Sequence, residues 1–143
     1  MKKRKFTAIL LIAITVIIGA LALKLTVPLS YADRPVYQES ADFVAGFQKN
    51  SALTAEQAAM KYFFYHTDYE SEVPTRIKVS STSLGAEQIR VTIFDPSCHD
   101  DSISSSIDRV YMRRNAMNEW IPIKVDSCHK GRGRFGWTTS PTL

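Results

Sequence analysis

Residues Phe6 to Leu23 run for 18 positions without a charge, directly after Met1-Lys2-Lys3-Arg4-Lys5. No other feature constrains the chain so strongly. A run of that length stands at the short end of what crosses a bilayer as a helix. It also exceeds the usual apolar region of a cleaved leader. The basic residues before it hold the N-terminus in the cytoplasm, so everything after Lys24 is expected to fold on the far side of the membrane. Residues 1–24 therefore read either as a single transmembrane anchor in the inner membrane or as a signal peptide. Ser30-Tyr31-Ala32 sets small residues at −3 and −1 ahead of Asp33, and cleavage after Ala32 would release a periplasmic or secreted domain. No cysteine follows the run closely, which excludes a lipoprotein-type anchor.

The remainder has room for one small domain. Residues 25–39 read as a linker, interrupted by Pro28 and Pro35, and residues 40–143 as an extracytoplasmic domain. The net charge of +4 belongs to the leader. Five of the 18 basic residues precede Asp33 and none of the 14 acidic ones does, so residues 33–143 carry 13 basic and 14 acidic side chains. A near-neutral domain makes no electrostatic case for nucleic acid. One local excess survives between Arg109 and Arg134, where seven basic residues face only Glu119 and Asp126.

Element patterns point to an α+β fold. Ser40 to Lys49 is expected to form a short helix capped by Ser40, with Phe43, Val44 and Phe47 as its apolar stripe. Thr54-Ala55-Glu56-Gln57 is a capping box, in which threonine and glutamine satisfy orphaned N–H groups reciprocally. From there Ala55, Ala59, Tyr62, Phe63, His66 and Tyr69 recur at helical spacing. Phe63-Phe64-Tyr65 is too apolar for a free helix and calls for a sheet beneath it. Alternation through Ile77 and Val79, then Ile89, Val91 and Ile93, supplies two strands around a Leu84-Gly85-Ala86 turn. Residues 107–113 and 120–125 supply two more across Arg114 to Asn118, the last carrying an edge or a bulge at Pro122. The expected architecture is one helix on a curled four-stranded antiparallel sheet, cystatin-like or NTF2-like, behind the N-terminal membrane helix or signal peptide.

Chemistry is sparse. Cys98 and Cys128 are the only cysteines. In an oxidising compartment two lone thiols are expected to form one disulfide, worth roughly 3–4 kcal/mol for a loop of about 30 residues. Each is followed by a histidine, His99 and His129, but two adjacent Cys-His pairs lack zinc-ligand spacing, so no metal is expected. Gly131, Gly133 and Gly136 match G-x-G-x-x-G, yet only seven residues follow and they include Pro141. No helix can form there to receive a phosphate, so no cofactor is expected. The glycines suit a tight loop that folds Phe135 or Trp137 over the sheet end. Asp100-Asp101-Ser102 lacks the acid alternation of a calcium loop. His66 with Asp68 or Asp108 is the only acid–base set in prospect, and no G-x-S-x-G elbow accompanies it.

Two segments carry a resemblance. Cys98-His99-Asp100-Asp101-Ser102-Ile103, and Cys128-His129-Lys130-Gly131-Arg132-Gly133 with Trp137-Thr138, resemble a group of small exported bacterial proteins marked by C-x-D-D-S-[VI] and C-x-x-G-R-G-x-x-x-W-[ST] segments. Those proteins carry a further cysteine after the tryptophan, whereas this chain runs on to Pro141-Thr142-Leu143. The resemblance implies export and a small disulfide-stabilised domain, and no activity. The expected role is noncatalytic: a membrane-anchored or exported domain that binds another membrane or envelope protein. Arg132, Arg134, Phe135 and Trp137 are the expected contacts. The alternative is a small-ligand-binding or enzymatic pocket lined by Tyr62, His66 and Tyr111.

Overall fold

The computed structural model describes residues 11–22, 28, 30–49, 52–66, 76–96, 98, 103–132 and 136–139. Three helices, α1 (residues 11–22), α2 (Gln38–Gln48) and α3 (Ala55–His66), accompany five strands. The strands are β1 (Ala32–Arg34), β2 (Lys78–Gly85), β3 (Gln88–Asp95), β4 (Ile103–Arg114) and β5 (Trp120–Gly131). They form one open antiparallel sheet in the order β1-β5-β4-β3-β2. The sheet thus has five strands rather than four. The additional strand, β1, lies inside residues 25–39, where three residues without alternation left nothing to read as a strand.

Helix α1 leaves its apolar side chains, Leu11, Ile12, Val16 and Ile18 among them, exposed. Among the described residues no helix is long and apolar enough to cross a membrane. Residues 6–10 and 23 of the uncharged run lie outside the described residues.

Helix α3 starts as its sequence dictates. The Thr54 N–H donates to Gln57 Oε1 at 2.9 Å, and the Gln57 N–H donates to Thr54 Oγ1 at 3.2 Å. Ala55, Ala58, Ala59, Tyr62 and Phe63 then form the buried stripe. The alanines let the helix approach the sheet closely, and the two aromatics fill the space farther along. Tyr69 lies outside the described residues.

Helix α2 departs from expectation. It begins at Gln38, two residues before Ser40, and Tyr37 at its N-cap makes no side-chain cap. Its buried positions are Ser40, Val44 and Gln48, whereas Phe43 and Phe47 are 43% and 40% exposed. The reason is Gln48. Its side-chain amide donates to Trp120 O and accepts from Trp120 N–H, both at 2.8 Å. Those two bonds rotate α2 so that Gln48 faces the end of β5 and the phenylalanines turn outward.

Register defines two faces of the sheet. Val91, Val110 and Val125 lie in one row beneath the helices, and Arg34 of β1 extends that row. The next row is Ile93, Asp108, Ser127 and Ala32. Thr92, Arg109, Asp126 and Asp33 occupy the opposite face. The ladder slips between Tyr111 and Met112, where Lys124 and Pro122 flank one extra residue, Ile123. Pro122 therefore sits at a bulge, in the part of β5 before Val125 that β1 does not pair with. Asn118, at φ 64°, closes the β4–β5 reversal, and the Asn115 side chain caps it by accepting from the Met117 and Glu119 N–H groups.

Replacing Gln48 with Ala strands the buried N–H and C=O of Trp120. Urea unfolding should show a loss of about 2 kcal/mol, against a few tenths for Gln38→Ala on the exposed side of the same helix.

Candidate functional site

The helix-facing side of the sheet is apolar at one end and polar at the other. Where β4 begins and β5 ends, inward positions that would carry core residues hold Asp95, Ser106, Asp108, Ser127 and His129. Asp95, Ser127 and His129 are buried. This polar end meets the apolar core at a cavity of 220 Å³. Phe63 and Tyr62 of α3, Val110 and Val125 of the sheet, and the Arg34–Tyr37 segment wall it, and Asp108 and Ser127 lie on its floor.

Four side chains give the cavity its chemistry. Asp108 Oδ2 accepts from Ser106 Oγ at 3.1 Å. Arg34 Nε donates to Ser127 Oγ at 2.8 Å, and the Tyr37 N–H donates to the Tyr62 hydroxyl at 2.9 Å. Burial pushes the Asp108 carboxyl from an ordinary 3.8 up to about 6, with Asp95 and Asp126 adding to the rise. The Ser106 hydrogen bond and the Arg34 charge oppose it. Among the described residues the ion pairs are Arg109–Asp126 and Lys124–Asp33, so Arg34 and Asp108 share the cavity without pairing.

The opposite face carries a closed cluster. Asp126, 2% exposed, accepts from Arg109 Nε, from Arg109 Nη2 at 2.8 Å and from the Tyr111 hydroxyl at 3.1 Å. The Arg109 guanidinium stacks on Tyr31, 3.3 Å from the ring centroid. Tyr31 also hydrogen-bonds Cys128, whose thiol is pushed up to about 12 by burial and the nearby Asp108 charge. A carboxylate so fully used binds nothing further, and the cluster is structural.

A second concavity is apolar and open. Phe43, Leu53, Met60, Phe64, Tyr65 and Val79 line 620 Å³ between α2, α3 and β2. Phe43 and Tyr65 stack with centroids 4.5 Å apart. Ser81 Oγ donates to Glu56, which fixes α3 against β2. β2 itself is exposed along its whole length.

Of the contacts expected near the C-terminus, Arg132 is exposed, with Nε 3.5 Å from Ile103 O. Trp137 is half-buried against Phe94, with centroids 6.3 Å apart. The chain doubles back there, since His129 and Thr138 exchange both backbone hydrogen bonds, and Gly136 turns it at φ 81°. Arg134 and Phe135 lie outside the described residues, as do His99, Asp100 and Asp101. The expected pocket set is not brought together. Tyr62 lines the cavity, but Tyr111 projects from the opposite face onto Asp126. His66 ends α3, and its side chain is not described. The two thiols are free. Cys98 lies near Ser106 and Asp95, and Cys128 near Tyr31. Among the described residues no His, Cys, Asp or Glu group is arranged to hold a metal.

Asp108 was named from the sequence as an acid–base partner for His66, whereas Arg34 and Ser127 were hidden because an inward polar residue on a strand reads as an outward one. The alternation of β4 itself, with Val110 and Met112 inward, is the signal that places Asp108 inward too. Comparison with protein-family models, curated proteins and solved structures finds no match for this chain.

The raised carboxyl at Asp108 has a signed consequence. The folded state holds the proton more tightly than the unfolded chain, so this group's penalty grows as pH rises through 4 to 6 and is complete above about 6. Asp108→Asn, neutral throughout, should stabilise the protein by up to about 3 kcal/mol at pH 8 and by only about half a kcal/mol at pH 4. Urea denaturation at the two pH values checks this.

Proposed function

We propose that the chain is a noncatalytic binding domain of the cell envelope, anchored through residues 6–23, that docks an extended segment of a neighbouring envelope protein along β2. The observation that carries this reading is the junction of an unpaired strand edge with an apolar groove. Among the described residues no strand pairs with the outer edge of β2, and Val79 of that strand is itself a wall of the groove. An incoming strand would exchange backbone hydrogen bonds with β2 and set alternate side chains among Met60, Phe64 and Phe43. The Lys78–Gly85 edge carries Ser80, Ser81, Thr82 and Ser83, polar enough to stay soluble until a partner arrives.

Tyr31 supports a retained anchor. Cleavage after Ala32 would remove it from beneath Arg109, remove the partner of Cys128 and shorten β1.

A second reading rests on the cavity at Asp108. One side of the sheet packs against α3, and the cavity between them is enclosed and polar enough at Asp108 to hold a small ligand. The two readings use different faces of α3 and do not compete.

A photo-crosslinking residue at Thr82, on the exposed edge, should give one discrete adduct with an envelope protein in intact membranes. A crosslinker at Arg113, on β4 and two strands in from that edge, should give none. Val79→Asp should reduce the Thr82 adduct about tenfold while leaving the circular dichroism unchanged. No adduct from Thr82 would end the edge-docking reading.

A further inference from the structure

We infer that the cavity over Asp108 is a binding site for a small zwitterion of the α-amino acid class, with its ammonium on Asp108 and its carboxylate on Arg34. This rests on the small-ligand reading of that cavity and is independent of the β2 edge. Opposite charges stand in the walls of one cavity and do not pair with each other. Asp108 has one oxygen engaged by Ser106. Arg34 uses Nε on Ser127, which fixes the guanidinium's direction and leaves the Nη atoms as carboxylate donors in fork geometry. The Tyr62 hydroxyl accepts from Tyr37 and keeps its own hydrogen for donation.

The remaining wall sets the size and the side chain. Phe63, Val110, Val125 and Pro35 are apolar and flank the charged pair. A space of 220 Å³ suits a small ligand. That admits alanine, serine or valine and excludes the large aromatic amino acids. An apolar side chain would lie against Val110, Val125 and Phe63.

Uncharged and singly charged alternatives satisfy less of the site. A simple amine leaves Arg34 without a partner, and a simple carboxylate leaves Asp108 without one. Arg34 is exposed and keeps its Ser127 bond, and Asp108 is half-buried, so a half-ligand forgoes one charge-assisted hydrogen bond that the zwitterion makes. The ligand is therefore selected by carrying both charges about one carbon apart.

Asp108 is surrounded by Arg34 from β1, Asp95 from β3, Ser106 from its own strand, Ser127 from β5 and Tyr62 from α3. Asp126 and Cys128 act on it through the sheet. An ammonium ligand would give the Asp108 carboxylate the ion-pair partner that no described side chain supplies.

Calorimetry with the full chain in detergent, at pH 8, tests this with four probes: alanine, ethylamine, propionate and tert-butanol. Alanine should bind at least about tenfold more tightly than ethylamine or propionate. Asp108→Asn should lower alanine affinity by roughly tenfold or more, and Arg34→Gln should do the same. Asp108→Asn is expected to be more stable than the parent at pH 8, so lost binding there is not lost folding. Equal affinity for alanine and ethylamine would overturn the role of Arg34, and equal affinity for alanine and propionate that of Asp108; either overturns the zwitterion assignment. Binding of tert-butanol without alanine would leave a ligand cavity and refute its zwitterion selectivity. Binding of none of the four would end both that selectivity and the small-ligand reading.

Discussion

The ion pair between Arg109 and Asp126 is the interaction on which the N-terminal half of the domain depends. A buried carboxylate is tolerable only when its lone pairs are filled, and Asp126 receives Arg109 twice and Tyr111 once. Arg109, held flat by that carboxylate, offers its other face to Tyr31. Tyr31 leads directly into β1, which completes the sheet beside β5 and is tied on its outer face by Lys124 to Asp33 at 2.8 Å. The exposed Lys124–Asp33 pair contributes little by itself. The direction it shares with Tyr31 matters more, because β1 carries Arg34 and the turn into Tyr37 over the cavity.

A chain of dependence thus runs through the sheet from back to front. Asp126 orients Arg109, Arg109 seats Tyr31, β1 brings Arg34 to Ser127, and Tyr37 meets the Tyr62 hydroxyl of α3. The front of the sheet is destabilised by what this arrangement encloses. Asp108 is held in a carboxylate-raising environment, where a valine like its neighbour in the next row would pack at no electrostatic cost. Strain of that kind in a domain near 100 residues is consistent with a site that has a ligand to receive.

Much of the architecture was legible in the sequence, and the exceptions have physical causes. The Thr54–Gln57 box, the alanine stripe of α3 and the alternation in β3 and β4 are local signals, and each is realised. β1 is invisible because three residues cannot show a period, and its pairing comes from Arg34 and Tyr31 contacts made far along the chain. β5 runs beyond Val125 to Gly131 because Asp126, Ser127, Cys128 and His129 are buried in succession. Covered on both faces, such a strand loses the alternation that would announce it. α2 shows the reverse error. Its phenylalanines look like a core stripe, yet the hydrogen bonds of Gln48 to Trp120 decide which side faces in. In the candidate site Tyr62 was legible from helix periodicity. Asp108 was named only as an acid–base partner for His66, and Arg34 and Ser127 were not legible, since the placement of a polar side chain is written in tertiary contacts.

The account makes Tyr31 and β1 integral parts of the domain, and so ties the leader to the fold. Intact mass of the protein from native membranes tests that claim most directly. A membrane-fraction species retaining the residues before Tyr31 is the predicted result. A soluble species beginning at Asp33 would contradict it, because the packing of Arg109, Cys128 and β1 would then have been dispensable.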